Sequence, residues 1–135
     1  MNKTEMLYEL AEAEGVTIDE LGLGNLESVI VETENGLHIG INADCAKIPQ
    51  RQREILAHEL GHCVRGALYR RGGPYPEGKY ERQATAWSIE FLIPEELLKK
   101  RLNILGPDAS LSDIAESFGV GVDFLQKAIE YYKLR

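Results

Sequence analysis

Apolar residues recur at helical spacing from the start of the chain: Met6, Leu7, Leu10 and Ala11 follow Asn2 and Glu5, a pair placed as a capping box, and Gly15 supplies a stop. A first helix over residues 3–14 is predicted. The stretch 16–25, with Gly22 and Gly24, reads as turn. The period then changes. Ser28-Val29-Ile30-Val31-Glu32-Thr33, the turn Glu34-Asn35-Gly36 and Leu37-His38-Ile39-Gly40-Ile41-Asn42 predict two antiparallel strands joined as a hairpin. Beyond Pro49 a helix is predicted over 50–65, with Leu56, Leu60, Cys63 and Val64 as an apolar stripe on the side opposite His58 and His62. A Gly/Pro/Arg-rich connection over 66–78 leads to a helix over 80–93, which Pro94 stops, and a short one over 95–102. Past Gly106-Pro107, residues 111–118 and 122–134 flank Gly119-Val120-Gly121 as a helix–turn–helix pattern. The expected fold is α+β and mainly helical, with a short antiparallel sheet before the 50–65 helix. The expected division is a main domain over 1–106 and a helix–turn–helix-like unit over 107–135 packed on it.

A chain of 135 residues is the size of one domain with one core. Its net charge of −7 argues against indiscriminate attachment to nucleic acid or anionic membrane. The charge is concentrated. Residues 1–36 hold nine acids and the single base Lys3, whereas the remainder is close to neutral. Two cysteines make no disulfide framework, Lys3, Glu5 and Glu9 interrupt any signal-peptide pattern, and no apolar run is long enough to span a membrane. A cytoplasmic protein is expected.

The chemistry lies in His58-Glu59-Leu60-Gly61-His62, an HExxH motif. On a helix, residues four apart differ by about 40° in azimuth, so both imidazoles project from one face and can bind one metal ion. Glu59 is about 100° from His58, beside such an ion, where a general base is needed. Gly61 costs helix stability by about 1 kcal/mol relative to Ala and suggests that another backbone or a ligand comes close. A catalytic zinc site usually has three protein ligands. His38 is the only other histidine, but it lies in the predicted hairpin, where a solvent-facing strand position is its simpler reading. Glu81 is the better candidate. It begins a helix whose Ala84, Trp87, Ser88 and Phe91 recur at helical spacing, and small Ala84 would permit close approach to Gly61.

These residues resemble a known family. His58–His62 followed by Cys63, then Gly66-Ala67-Leu68-Tyr69, and above all Glu81-Arg82-Gln83-Ala84-Thr85-Ala86-Trp87-Ser88 running into Phe91-Leu92-Ile93-Pro94, are similar to the ImmA/IrrE metallopeptidases. That family's pattern is HExGH, then E-x-x-A-[N/D]-x-[F/W]-A. Thr85 and Ser88 depart from it, standing where Asn or Asp, and Ala, are common. The resemblance spans roughly residues 27–134. It implies a zincin-like fold, His58, His62 and Glu81 as metal ligands, Glu59 as catalytic base, and Zn2+ as cofactor, with Mn2+ or another divalent ion as a substitute. It also implies an endopeptidase of the phage and mobile-element type whose protein substrate is a helix–turn–helix repressor. The rival reading is a metal-containing regulator that binds such a repressor without cutting it.

Other residues are less decisive. Tyr69, Tyr75, Tyr80, Arg70 and Arg71 are all candidates to stabilise an oxyanion, and nothing selects among them. Cys63 falls on the apolar stripe, where a free cysteine usually acts as a small hydrophobe. The basic residues Arg65, Arg70, Arg71, Lys79 and Arg82 could meet an acidic partner segment or the acidic first helix. The last predicted helix presents Asp123, Gln126, Lys127 and Glu130, a poor set for phosphate contacts, so direct DNA binding is not expected.

Overall fold

The structure is a computed structural model that describes residues 1–65, 77–106 and 110–133. Helix α1 (Lys3–Ala13) opens with the capping box: the Asn2 side chain accepts from the Glu5 N–H at 2.8 Å, and the Glu5 carboxylate accepts from the Asn2 N–H at 3.4 Å. Leu7 and Ala11 are buried in the core, so this helix is structural and turns its acids outward.

Strands β1 (Thr17–Leu21), β2 (Ser28–Thr33) and β3 (Gly36–Asn42) form a sheet of order β1-β3-β2. The β2–β3 hairpin is antiparallel, with Ile30 opposite Ile39 and Val31 opposite His38. β1 runs parallel to β3, with Ile18 opposite Ile39. This corrects the expectation of a purely antiparallel sheet preceded by turn. The reason lies in the strand itself: in Thr17-Ile18-Asp19-Glu20-Leu21 only Ile18 is partly buried, and an acidic edge strand lacks the alternation that marks a half-buried one. His38 fastens all three strands, with Nδ1 2.5 Å from Thr17 Oγ1 on β1 and Nε2 2.8 Å from Thr33 Oγ1 on β2.

A single turn, α2 (Ala43–Ala46), not anticipated from the sequence, precedes α3 (Pro49–Val64), which has Pro49 in its first turn, where a missing N–H costs nothing. Then follow α4 (Glu77–Leu92), α5 (Glu95–Leu105), α6 (Leu111–Phe118) and α7 (Val122–Tyr132). Ile39 and Ile41 of the sheet, Leu56 and Leu60 of α3, and Ile89 and Leu92 of α4 belong to one buried cluster that also takes in Ile114, Phe118 and Leu125 of α6 and α7.

α4 packs along α3. A Cβ on Gly61 would stand 2.8 Å from the Ala84 carbonyl oxygen and 3.2 Å from its Cα, so the glycine is what lets the two backbones meet. The obstacle is backbone and cannot rotate away. Gly61→Ala is therefore expected to destabilise the protein by about 1–3 kcal/mol through overpacking, against the gain of about 1 kcal/mol that helix propensity alone would bring. Urea unfolding measures the sign.

Arg53 on α3 ties distant parts together. Its Nε donates to Thr4 Oγ1 at 2.9 Å, and its Nη1 donates to the Gly119 carbonyl, in the turn between α6 and α7. Next to it, the Glu54 carboxylate accepts from the Gly121 N–H at 2.8 Å. Gly119 has φ +70, and an added Cβ would run into the Arg53 guanidinium. Arg53→Ala is expected to cost about 2 kcal/mol, the range for losing hydrogen bonds to a charged group, read as a lower thermal midpoint.

Candidate metal centre

His58, Glu59 and His62 all lie in α3, and the rigid one-residue and three-residue spacings of the helix set their relative directions. Ligand atoms of the three lie within 4.8 Å of one another. Glu81 enters from the first half of α4: its Oε2 is 2.9 Å from His58 Nε2 and its Oε1 is 2.9 Å from His62 Nε2. The close Gly61–Ala84 packing is what brings Glu81 across, since Ala84 lies one turn further along the same helix. Two imidazole nitrogens and a carboxylate meeting at one point suit a divalent metal ion, which such N and O donors hold in catalytic centres.

His62 is only 6 % exposed, so the side of α3 opposite the apolar stripe is itself covered at this end of the helix. Leu56 and Leu60 of that stripe are fully buried, whereas Cys63 and Val64 are partly buried. Packing of α4 over this end of α3 encloses His62 and leaves His58 half-buried. Thr85 Oγ1 lies 3.5 Å from His58 Nδ1, a long contact to the ring nitrogen that faces away from Glu81. A group at that position orients an imidazole ligand from outside, so Thr85 still offers a hydroxyl where the family commonly has an amide or carboxylate. Ser88, the second departure, is buried and donates to the Thr85 carbonyl at 2.7 Å.

Glu59 is half-buried, and burial pushes its carboxyl above the usual range. His58 and His62 pull in the other direction, Glu81 adds to the rise, and a hydrogen bond from Ser28 partly offsets it. Glu59 is thus a carboxylate whose hold on a proton is strengthened without isolating it from its neighbours. Cys63, next to His62, is pushed up to about 11, first by burial and then by Glu59 and Glu14. A thiol so raised stays protonated at neutral pH, in keeping with its place on the apolar stripe.

The cluster opens into a cleft of about 370 Å3. Several of its walls were not anticipated. Ser28 comes from the start of β2, Arg51 and Glu54 from the first half of α3, and Phe124 and Lys127 from α7. Arg51 is ion-paired with Glu27 at the rim. No local pattern marks these residues, since each becomes part of the cleft only through packing between separated elements. Among the oxyanion candidates, Tyr80 is 8 % exposed on α4 and does not line the cleft, while Tyr69, Tyr75, Arg70 and Arg71 lie outside the described residues. His38 is occupied at both ring nitrogens within the sheet. Among the described residues, no helix is long and apolar enough to cross a membrane.

No curated protein matches the chain significantly. The profile of the IrrE N-terminal-like domain, Peptidase M78, matches residues 11–130. That match covers the sheet, the α3 helix with His58, Glu59 and His62, the α4 helix with Glu81, and nearly all of α7, so the chain belongs to the Peptidase M78 family of metal-dependent peptidases.

Proposed function

We propose that the protein is a zinc endopeptidase of zincin type that cuts a helix–turn–helix repressor in the cytoplasm, with His58, His62 and Glu81 holding the metal and Glu59 as general base. The observation that carries this reading is the convergence of two imidazoles and two carboxylates from α3 and α4 at the floor of an open cleft. A divalent ion held there supplies Lewis acidity, polarising a peptide carbonyl and acidifying water. Glu59 takes the proton of the attacking water as its oxygen bonds to the carbonyl carbon. It then delivers that proton to the leaving nitrogen as the C–N bond breaks. Ser28 steadies the Glu59 carboxylate from the strand side, and Thr85 faces the outer nitrogen of His58.

The α6–α7 pair, the helix–turn–helix-like unit of residues 107–135, serves packing and substrate contact in this reading. It is anchored through Gly119 and Gly121 to Arg53 and Glu54 of α3, and it lends Phe124 and Lys127 to the cleft. Direct binding of DNA is not part of the proposal. The test is incubation of the zinc-loaded protein with a helix–turn–helix repressor encoded beside its gene, followed by mass spectrometry of the products. New termini at a defined peptide bond, abolished by a chelator, support the reading. A stable complex with an intact repressor would instead make the protein a metal-containing regulator that binds without cutting.

A further inference from the structure

Three hollows follow one another along α7. The first lies at its N-terminal end and is bounded by Ile48, Arg51, Glu54 and Val122; the second is the metal cleft, with Phe124 and Lys127; the third lies between α4 and α7. Neighbouring hollows share walls. Arg51 and Glu54 border both the first and the second, and Glu81, Thr85 and Lys127 border both the second and the third. They therefore lie side by side, the metal cleft in the middle, with residues of α7 in the wall of each. α7 has 11 residues. At about 1.5 Å per residue that is ~16 Å, the length of about five residues of extended chain at ~3.3 Å each.

The third hollow differs in chemistry from the metal cleft. Its apolar surface comes from Ala86 and Ile89 of α4 and Tyr131 of α7. The Tyr131 ring is held in place, since its hydroxyl donates to Glu90 at 2.7 Å and it meets the Tyr132 ring edge-on with centroids 5.1 Å apart. Lys127 and Arg82, both exposed and neither ion-paired among the described residues, line the same hollow together with Glu130 and with Glu81 of the metal site. An apolar slot beside two such cations is complementary to a large apolar side chain with an acidic neighbour.

We propose that α7 sets the specificity of the enzyme: the substrate runs extended along it across the metal centre, placing a large apolar side chain in the slot of Ala86, Ile89 and Tyr131 and an adjacent acidic side chain on Lys127. This deepens the peptidase reading and rests on it for the reacting bond. The slot lies beyond Glu81 and Thr85, so it takes a residue to one side of the scissile bond.

The test is selection from a random dodecapeptide library on the full-length Glu59→Gln protein in the presence of zinc. The expected result is enrichment of sequences with an acidic residue beside Leu, Ile, Met or Phe. Adding Lys127→Glu should lower the acidic enrichment by about fivefold, the reach of one partly exposed charge pair, and leave the apolar enrichment in place. Ala86→Trp, which fills the slot, should lower the apolar enrichment by at least about tenfold. Tyr131→Ala provides a second variant at an exposed position and should broaden the apolar choice. Enrichment of neither class, or the same enrichment on Lys127→Glu and on Tyr131→Ala as on the parent, would overturn the proposal. Failure of the wild-type protein to cut the enriched peptides would count against the peptidase reading and leave the enrichment to decide the role of α7.

Discussion

Glu59→Gln is expected to keep the metal and to lower peptide hydrolysis by about 10²–10⁴-fold, the usual worth of a positioned general base. The amide has the shape of the carboxylate and can still accept from Ser28, so the surroundings of α3 are preserved. What it cannot do is take a proton. Burial strengthens that capacity in the native residue, holding its pKa above the ordinary carboxylate value despite two neighbouring histidines. Elemental analysis of the purified variant, set beside its kcat on a peptide that the wild type cuts, separates the two properties. Full activity with full metal would remove Glu59 from the reaction.

Glu81→Ala has the complementary expected outcome, loss of the metal itself. Glu81 has a carboxylate oxygen at 2.9 Å from each imidazole, and its removal leaves two donors where a catalytic centre uses three. Removing an outer-shell partner already weakens metal affinity by about 10–100-fold, and loss of a direct ligand should exceed that. Competition with a chromophoric chelator gives the affinity directly. Its side chain is half exposed, so the fold should survive the substitution, and thermal unfolding without metal checks this. Because Glu59 also lies in the cluster, the pair of variants decides which acid does what. If Glu59→Gln lost the metal while Glu81→Ala kept it, the two roles would be exchanged.

Much of the site is legible in the order of residues along the chain. The HExxH spacing places two imidazoles on one helical face whatever surrounds them, and Gly61 points to a close approach that proves to be the Ala84 backbone. The β2–β3 hairpin is equally legible because alternation and a glycine turn are local signals. β1 is not, since its partner lies some twenty residues further on, and its own residues face water. Helical spacing puts His62 away from the core, yet it is buried, because the depth of a helical face depends on what packs over it. The same holds for the acidic first helix. Its charge invites pairing with the basic residues near the motif, whereas Leu7 and Ala11 make it part of the core and none of its residues lines the cleft.

By itself the sequence determined the order of most elements, the histidine pair with its adjacent acid, and the second block that carries Glu81. Covalent geometry dictates side-chain direction over one or two helical turns, so four-residue spacing is sufficient. Only the tertiary structure decided that the carboxylate of Glu81 spans both imidazoles, that Ser28 reaches Glu59, and that α7 walls the cleft with Phe124 and Lys127. Those meetings join residues from about twenty to nearly seventy positions apart along the chain. They depend on how buried faces fit together, as at Gly61 against Ala84 and Arg53 against Gly119, and no periodicity within a single segment encodes that fit.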